Sequence, residues 1–188
     1  MLKVGEKIPN LKAAAYHKDK IIDVNFKDYE GKWLILLFYP ADFTFVCPTE
    51  LGDAADSYKK FQAQDAEILS ISTDTVFVHK AWHDNSETIS KIKYPMLADP
   101  NGNISKSFGT YDENGGHSIR ATFIIDPDQN IIACEMHDNS IGRNIDEIFR
   151  KLQAAIFVRK NKGALVCPAR WKPGDKSLKP GVDLVGAI

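Results

Sequence analysis

The stretch Trp33-Leu34-Ile35-Leu36-Leu37-Phe38-Tyr39-Pro40-Ala41-Asp42-Phe43-Thr44-Phe45-Val46-Cys47-Pro48-Thr49-Glu50 passes from an apolar strand through a turn into a helix, with a cysteine at the corner. Its first seven residues are apolar on both faces, which predicts a central strand covered on both sides. Pro40 ends that strand. Beyond the turn, Leu51, Ala54, Ala55, Tyr58 and Phe61 recur at helical spacing, so an amphipathic helix is expected from about residue 48. Proline is favoured at the first helical position, so Pro48 predicts Cys47 as the N-cap. A sulfur placed there faces free backbone N–H groups and the positive end of the helix dipole, and both favour thiolate over thiol. Many cysteines are small buried hydrophobes. The strand, proline, turn and Cys-Pro setting favours a reactive thiol here.

Outward from this corner the chain alternates. Residues 1 to 32 read as an N-terminal extension with short strands, because Ile21-Ile22-Asp23-Val24 follows a polar turn at residues 17 to 20. Glu67-Ile68-Leu69-Ser70-Ile71-Ser72-Thr73 reads as a second strand, and Asp74 is placed to cap a helix over 75–86. Residues 95 to 103 read as loop, followed by a short helix at 104–108, and residues 111 to 117 as a surface turn. Ala121–Ile125 and Ile131–Glu135 predict a β-hairpin. Asn144 and Glu147 resemble a capping pair, ahead of a helix whose stripe is Ile145, Ile148, Phe149, Leu152 and Ile156. Strand, helix, strand, helix and a hairpin imply an α/β fold with a central mixed β-sheet flanked by helices. From Lys160 glycine, proline and charge take over, with Cys167 and Trp171 as isolated anchors. The expected division is a domain over 1–160 and a C-terminal arm over 161–188, which packs on something such as another subunit and can detach.

Composition narrows the function. A chain of 188 residues suits one domain with a substantial core. The net charge of −1 gives no general attraction to nucleic acid or to an anionic membrane. No apolar run reaches the length of a membrane span, and Met1-Leu2-Lys3-Val4-Gly5-Glu6 lacks the apolar core of a secretory signal, so a cytoplasmic protein is expected. Three cysteines, Cys47, Cys134 and Cys167, are too few and scattered for a disulfide scaffold, and there is no C-x-x-C. No Gly-rich nucleotide fingerprint is present, and no cofactor is expected. His79 and His83 lie four apart on one helix and Cys134-x-x-His137 has a ligand-like spacing, but neither pair has a well-spaced third and fourth ligand. Packed or exposed histidines are the expectation, without a metal.

Pro40-x-x-x-Thr44-x-x-Cys47 resembles the active-site signature of peroxiredoxins, and Phe38 to Leu51 as a whole is similar to the typical two-cysteine subfamily. Ser72-Thr73-Asp74-Thr75, Lys80-Ala81-Trp82-His83, Val166-Cys167-Pro168-Ala169 and Asp183-Leu184-Val185-Gly186 resemble the bacterial alkyl hydroperoxide reductase C type. The resemblance covers essentially the whole chain and implies a thioredoxin-like fold. By it, Cys47 is the peroxidatic cysteine, whose thiolate attacks a hydroperoxide and becomes a sulfenic acid. Thr44 hydrogen-bonds the thiolate and the peroxide, Pro40 shields the sulfur from water, and Arg120 stabilises the thiolate and the transition state. Arginine suits that task because it stays protonated and its fork donates to two atoms at once. Glu50 orients the arginines, Arg143 is a second arginine near the pocket, and Trp82 walls it. On the residues alone Glu50 is equally an acid stabilising the first helical turn, and Thr44, Arg120 and Trp82 have ordinary structural readings too.

The same resemblance makes Cys167 the resolving cysteine, pairing with Cys47 of the other subunit of an antiparallel homodimer, with five dimers forming a decameric ring. It gives a flavin- and NADH-dependent disulfide reductase or a thioredoxin-like protein as electron donor. Cys134 matches no catalytic position and is expected in the core. Sensitive relatives carry Gly-Gly-Leu-Gly and a terminal Tyr-Phe; here Asn114-Gly115-Gly116-His117 is a partial match and Tyr-Phe is missing, so resistance of Cys47 to overoxidation is expected.

Overall fold

The computed structural model describes residues 2–187. Regular structure opens with a hairpin, β1 (Lys12–His17) and β2 (Lys20–Asn25). Its two loop residues, Lys18 and Asp19, both take positive φ (48° and 62°), the twist that a tight hairpin needs. Strand β3 (Trp33–Phe38) follows, with every residue buried, and leads into helix α1 (Cys47–Gln62). Then come β4 (Ala66–Ser72), α2 (Val76–Asn85), β5 (Met96–Ala98), α3 (Asn103–Phe108), the small pair β6 (Tyr111–Asp112) and β7 (His117–Ser118), the hairpin β8 (Arg120–Ile125) and β9 (Ile131–His137), and α4 (Ile145–Lys160).

Seven strands form one mixed sheet in the order β2-β1-β5-β4-β3-β8-β9. β3 pairs in parallel with β4 and antiparallel with β8, so the strand leading to Cys47 is central. Leu34, Leu36 and Phe38 join Leu69, Ile71, Phe123 and Ile125 in one apolar cluster that Phe26, Ile104 and Phe108 complete. Phe108 meets Phe123 edge-to-face at 4.9 Å. On α1 four residues of the expected stripe, Leu51, Ala54, Tyr58 and Phe61, are buried, and the fifth, Ala55, is half-buried.

The chain divides into two compact units, Met1–Ile145 and Asp146–Ile188. The first holds the sheet and α1 to α3. The second holds α4 from Asp146 and the residues expected to form the arm. There Val166 bridges Leu178, the Trp171 ring packs tilted against Phe157 with centroids 4.7 Å apart, and Arg150 Nη1 donates to the Trp171 carbonyl at 2.9 Å. Among the described residues no helix is long and apolar enough to cross a membrane.

Three expectations change. Residues 96–98 are not loop but β5, fully buried, because pairing with β4 and β1 overrides the proline and asparagine around it. Thr75, not Asp74, caps α2, its side chain accepting from Val78 N. Cys134 is exposed rather than core: β9 is an edge strand with one covered face, so Ile131 is buried while Ile132 and Cys134 point outward.

Candidate active site

Cys47 is the first residue of α1 and is buried. The N-cap is Val46, one residue earlier than expected, and its own backbone is close to helical (φ −83°, ψ −39°). Pro48 therefore sits at the second helical position, where its missing N–H still leaves no bond unmade. Val46 offers no capping side chain, and the turn is held by Thr49, whose hydroxyl donates to the Val46 carbonyl at 2.6 Å. Arg120 Nη1, at the start of β8, donates to the Cys47 Sγ at 3.6 Å. A guanidinium there stabilises negative charge on sulfur.

Arg120 belongs to a buried charge cluster. Its Nη1 also donates to Glu50 Oε2, and its Nη2 to the Asn139 carbonyl at 2.9 Å. Arg143 donates to Glu50 Oε1 from its backbone N (2.7 Å) and Nε (2.9 Å), and to Oε2 from Nη2 (3.0 Å). Its Nη1 reaches the Ala121 carbonyl at 2.8 Å. Burial pushes the Glu50 carboxyl up, but the Arg143 hydrogen bonds and charge, with the Arg120 charge, outweigh it and hold the group below the ordinary carboxylate range. One carboxylate, one helical turn from the thiol, thus fixes both arginines. The buried Arg120 Nε has no partner among the described residues.

The loop between β3 and α1 is tied from below. Asp42 accepts from Tyr39 Oη at 2.7 Å, is hydrogen-bonded to His79 Nδ1 at 2.7 Å, and donates its backbone N–H to Asp74 Oδ2 at 2.9 Å. The carbonyl of Leu97 can only accept, so His79 Nε2 donates to it, at 3.1 Å. Fully buried and bonded at both ring nitrogens, His79 is a structural histidine rather than a metal ligand. With Asp42 fixed, Phe43 is driven to φ 53°, a strained conformation for a non-glycine residue, and its ring lies 6.0 Å from the buried Trp82. The Tyr39 ring lies 6.3 Å from Trp82. Pro40 is half-buried where the strand ends. Thr44 Oγ1 gives its hydrogen to the Ala41 carbonyl at 2.8 Å.

The family model described as AhpC/TSA matches residues 4–134. The chain belongs to the AhpC/TSA family. It is 48% identical over 185 residues to an alkyl hydroperoxide reductase C from Salmonella typhimurium, covering 98% of each chain. The crystal structure of Enterococcus faecalis AhpC superposes with a TM-score of 0.86 at 48% identity, covering 89% of this chain and all of that one. The reduced 2-Cys peroxiredoxin of Plasmodium vivax superposes with a TM-score of 0.91 at 33% identity, covering 96% and 94%. The AhpC/TSA chain thus has a thioredoxin-like fold of the peroxiredoxin kind.

In this AhpC/TSA chain the structure gathers Cys47, Glu50, Arg120 and Arg143 into one cluster, and sets Pro40, Thr44 and Trp82 on or against the adjoining loop. Cys167 belongs to the second unit. It is half-buried, and its thiol donates to the Ala154 carbonyl of α4 at 3.8 Å. Burial pushes that thiol up, and the Arg150 charge offsets this only in part. As supports of the site, Asn139, Asp42, His79 and Asp74 escaped the reading of the sequence, which took Asp74 only as a helix cap and His79 only as a packed or exposed histidine. For His79 the signal was present, since a histidine on the apolar stripe of a helix needs a buried partner, but nothing marked Asp42 as that partner.

Proposed function

We propose that the chain is a thiol-dependent peroxidase that reduces hydrogen peroxide and organic hydroperoxides through Cys47 and Cys167, in antioxidant defence. The observation that carries this reading is the Arg120 guanidinium, shared between the Cys47 sulfur and Glu50. The Cys47 thiolate attacks one peroxide oxygen, the O–O bond breaks, and the alkoxide or hydroxide leaves and takes a proton. Negative charge moves from sulfur to the leaving oxygen, so a donor touching the sulfur, with a further unpartnered N–H on the same fork, is suited to follow it. Thr44 orients the peroxide, Pro40 and Trp82 keep water from the sulfur, and Glu50 and Arg143 position Arg120.

Cys47 sulfenic acid then condenses with the Cys167 thiol of a second subunit, forming the S–S bond and releasing water. Two electrons and two protons from a flavin- and NADH-dependent disulfide reductase or a thioredoxin-like donor restore both thiols. In this reading residues 1–160 are the peroxidase domain and 161–188 the arm that delivers Cys167; antiparallel dimers assemble into a decameric ring in the cytoplasm.

Treating the reduced protein with one equivalent of peroxide tests this. The expected product on a non-reducing gel is a covalent dimer whose cross-linked peptides contain Cys47 and Cys167. Cys47→Ser abolishes peroxide consumption, whereas Cys167→Ser consumes one equivalent and then fails to recycle with the donor. Peroxide turnover by Cys47→Ser sinks the proposal.

A further inference from the structure

Tyr94 precedes Pro95 at the entry to β5 and is buried, and its hydroxyl donates to the Leu51 carbonyl at 2.9 Å. Leu51 is the first residue after the Cys47–Glu50 turn. Its carbonyl has a second duty: by the i→i−4 rule it accepts the Ala55 N–H, the first helical bond left intact if residues 47–50 unwind. Burial pushes the Tyr94 phenol up, so it remains a proton donor. Next along the helix, Gly52 approaches the neighbouring segment so closely that a Cβ there would stand 2.5 Å from Thr88 Cγ2. The Tyr94 ring also meets Tyr58, further along α1, edge-to-face at 5.5 Å.

We propose that Tyr94, together with the Gly52–Thr88 contact, is a clamp that stops the unwinding of α1 at Leu51. The inference rests on the proposed Cys47–Cys167 chemistry, in which Cys47 must leave the helix to meet disulfide geometry. The two sides of the clamp differ in what holds them. Ahead of it, the turn has no capping side chain, a proline without an N–H, and the Glu50 bonds to Arg120 and Arg143. Behind it, Leu51, Ala54, Tyr58 and Phe61 are buried and Leu51 is bonded from outside its own helix. The clamp therefore sets the tether on which Cys47 travels. Four residues span about 6 Å as helix and about 13 Å extended, and each further residue released adds about 2 Å. Tyr94 touches neither thiol; it is a positioning residue.

Tyr94→Phe removes the hydroxyl and keeps the ring. In hydrogen exchange on the reduced protein, the Ala55 amide is expected to exchange about fivefold faster, the loss of one net hydrogen bond, with β3 and β4 amides unchanged. Thr88→Ala, which opens the space against Gly52, shifts Ala55 in the same direction. After rapid mixing with peroxide, Cys47 sulfenate forms at the wild-type rate while the Cys47–Cys167 disulfide forms severalfold faster. Unchanged Ala55 exchange, or an acceleration equal to that in β3 and β4, overturns the clamp. If the wild type forms no Cys47–Cys167 disulfide, the proposed chemistry fails, and Ala55 exchange alone still decides where the helix stops unwinding.

Discussion

Glu50 is the residue on which the site's electrostatics turn. Its carboxylate is buried between two guanidiniums, and removing one partner of such a cluster costs about 3–5 kcal/mol because the others are left buried and unpaired. Glu50→Gln is therefore expected to lower stability by about 3 kcal/mol and to slow Cys47 oxidation, since Arg120 loses the group that aims it. The pH dependence has a definite sign. The folded-state carboxyl is held below the ordinary range, so ionised Glu50 contributes stability that is present above about pH 4.3 and is lost as pH falls through the depressed value. In urea titrations across that acid range the wild type loses stability more steeply than Glu50→Gln; parallel curves would show that Glu50 does not carry the effect. Cys134 is the contrasting case. It is exposed on the outer face of an edge strand, so Cys134→Ser is expected to leave turnover intact and to change stability by less than about 0.5 kcal/mol.

At the scale of elements, the loop between β3 and α1 is a strained segment held by a buried polar chain. Tyr39, Asp42, His79 and the Leu97 carbonyl link the end of β3, the loop, α2 and β5. His79→Gln leaves Asp42 with a buried, unmatched oxygen at a cost of about 1–3 kcal/mol. It is expected to slow the reaction of Cys47 with peroxide by releasing Pro40 and Thr44. Asp42→Asn removes the same link, so the double variant should be little worse than either alone; additive losses in the measured rates would mean that the two side chains act separately. Strands β3, β4, β8 and β9 and helices α1 and α4 were legible because their signals are local: apolar runs, helical stripes, a proline and a turn. β5 was not, since three residues carry no periodicity and become a strand only between β1 and β4. The arginine cluster was legible only through the family signature. No spacing in the sequence joins Glu50 to Arg120, on β8, and Arg143, in the connection between β9 and α4, which the fold brings to it from 70 and 93 positions away.

At the scale of the whole molecule, the proposed chemistry is split between two units: Cys47 lies in the first and Cys167 in the second. Within the second unit the residues around Cys167 are fastened to α4 more firmly than a glycine- and proline-rich sequence suggests. Trp171 is buried, its ring packs tilted against Phe157, its indole N–H donates to the Asp175 carbonyl at 3.2 Å, and Arg150 binds its backbone while also pairing with Glu147. Cys167 is docked by the same arrangement, with its thiol directed to the Ala154 carbonyl. A docked thiol must be released before it can meet another sulfur, so the Trp171 fastening opposes the proposed resolution by Cys167. Trp171→Ala removes a buried aromatic worth about 3–5 kcal/mol and should free residues 164–178. Trypsin is then expected to cut at Arg170 and Lys176 at protease levels that spare the wild type, while β3 amides keep their exchange rates. The Cys47–Cys167 disulfide should form severalfold faster, and Cys47 should reach the sulfinic acid less often at high peroxide, because faster resolution leaves the sulfenic acid less time to be oxidised again. Slower disulfide formation in Trp171→Ala would reverse the assignment, making the fastened arm the form that presents Cys167 for attack.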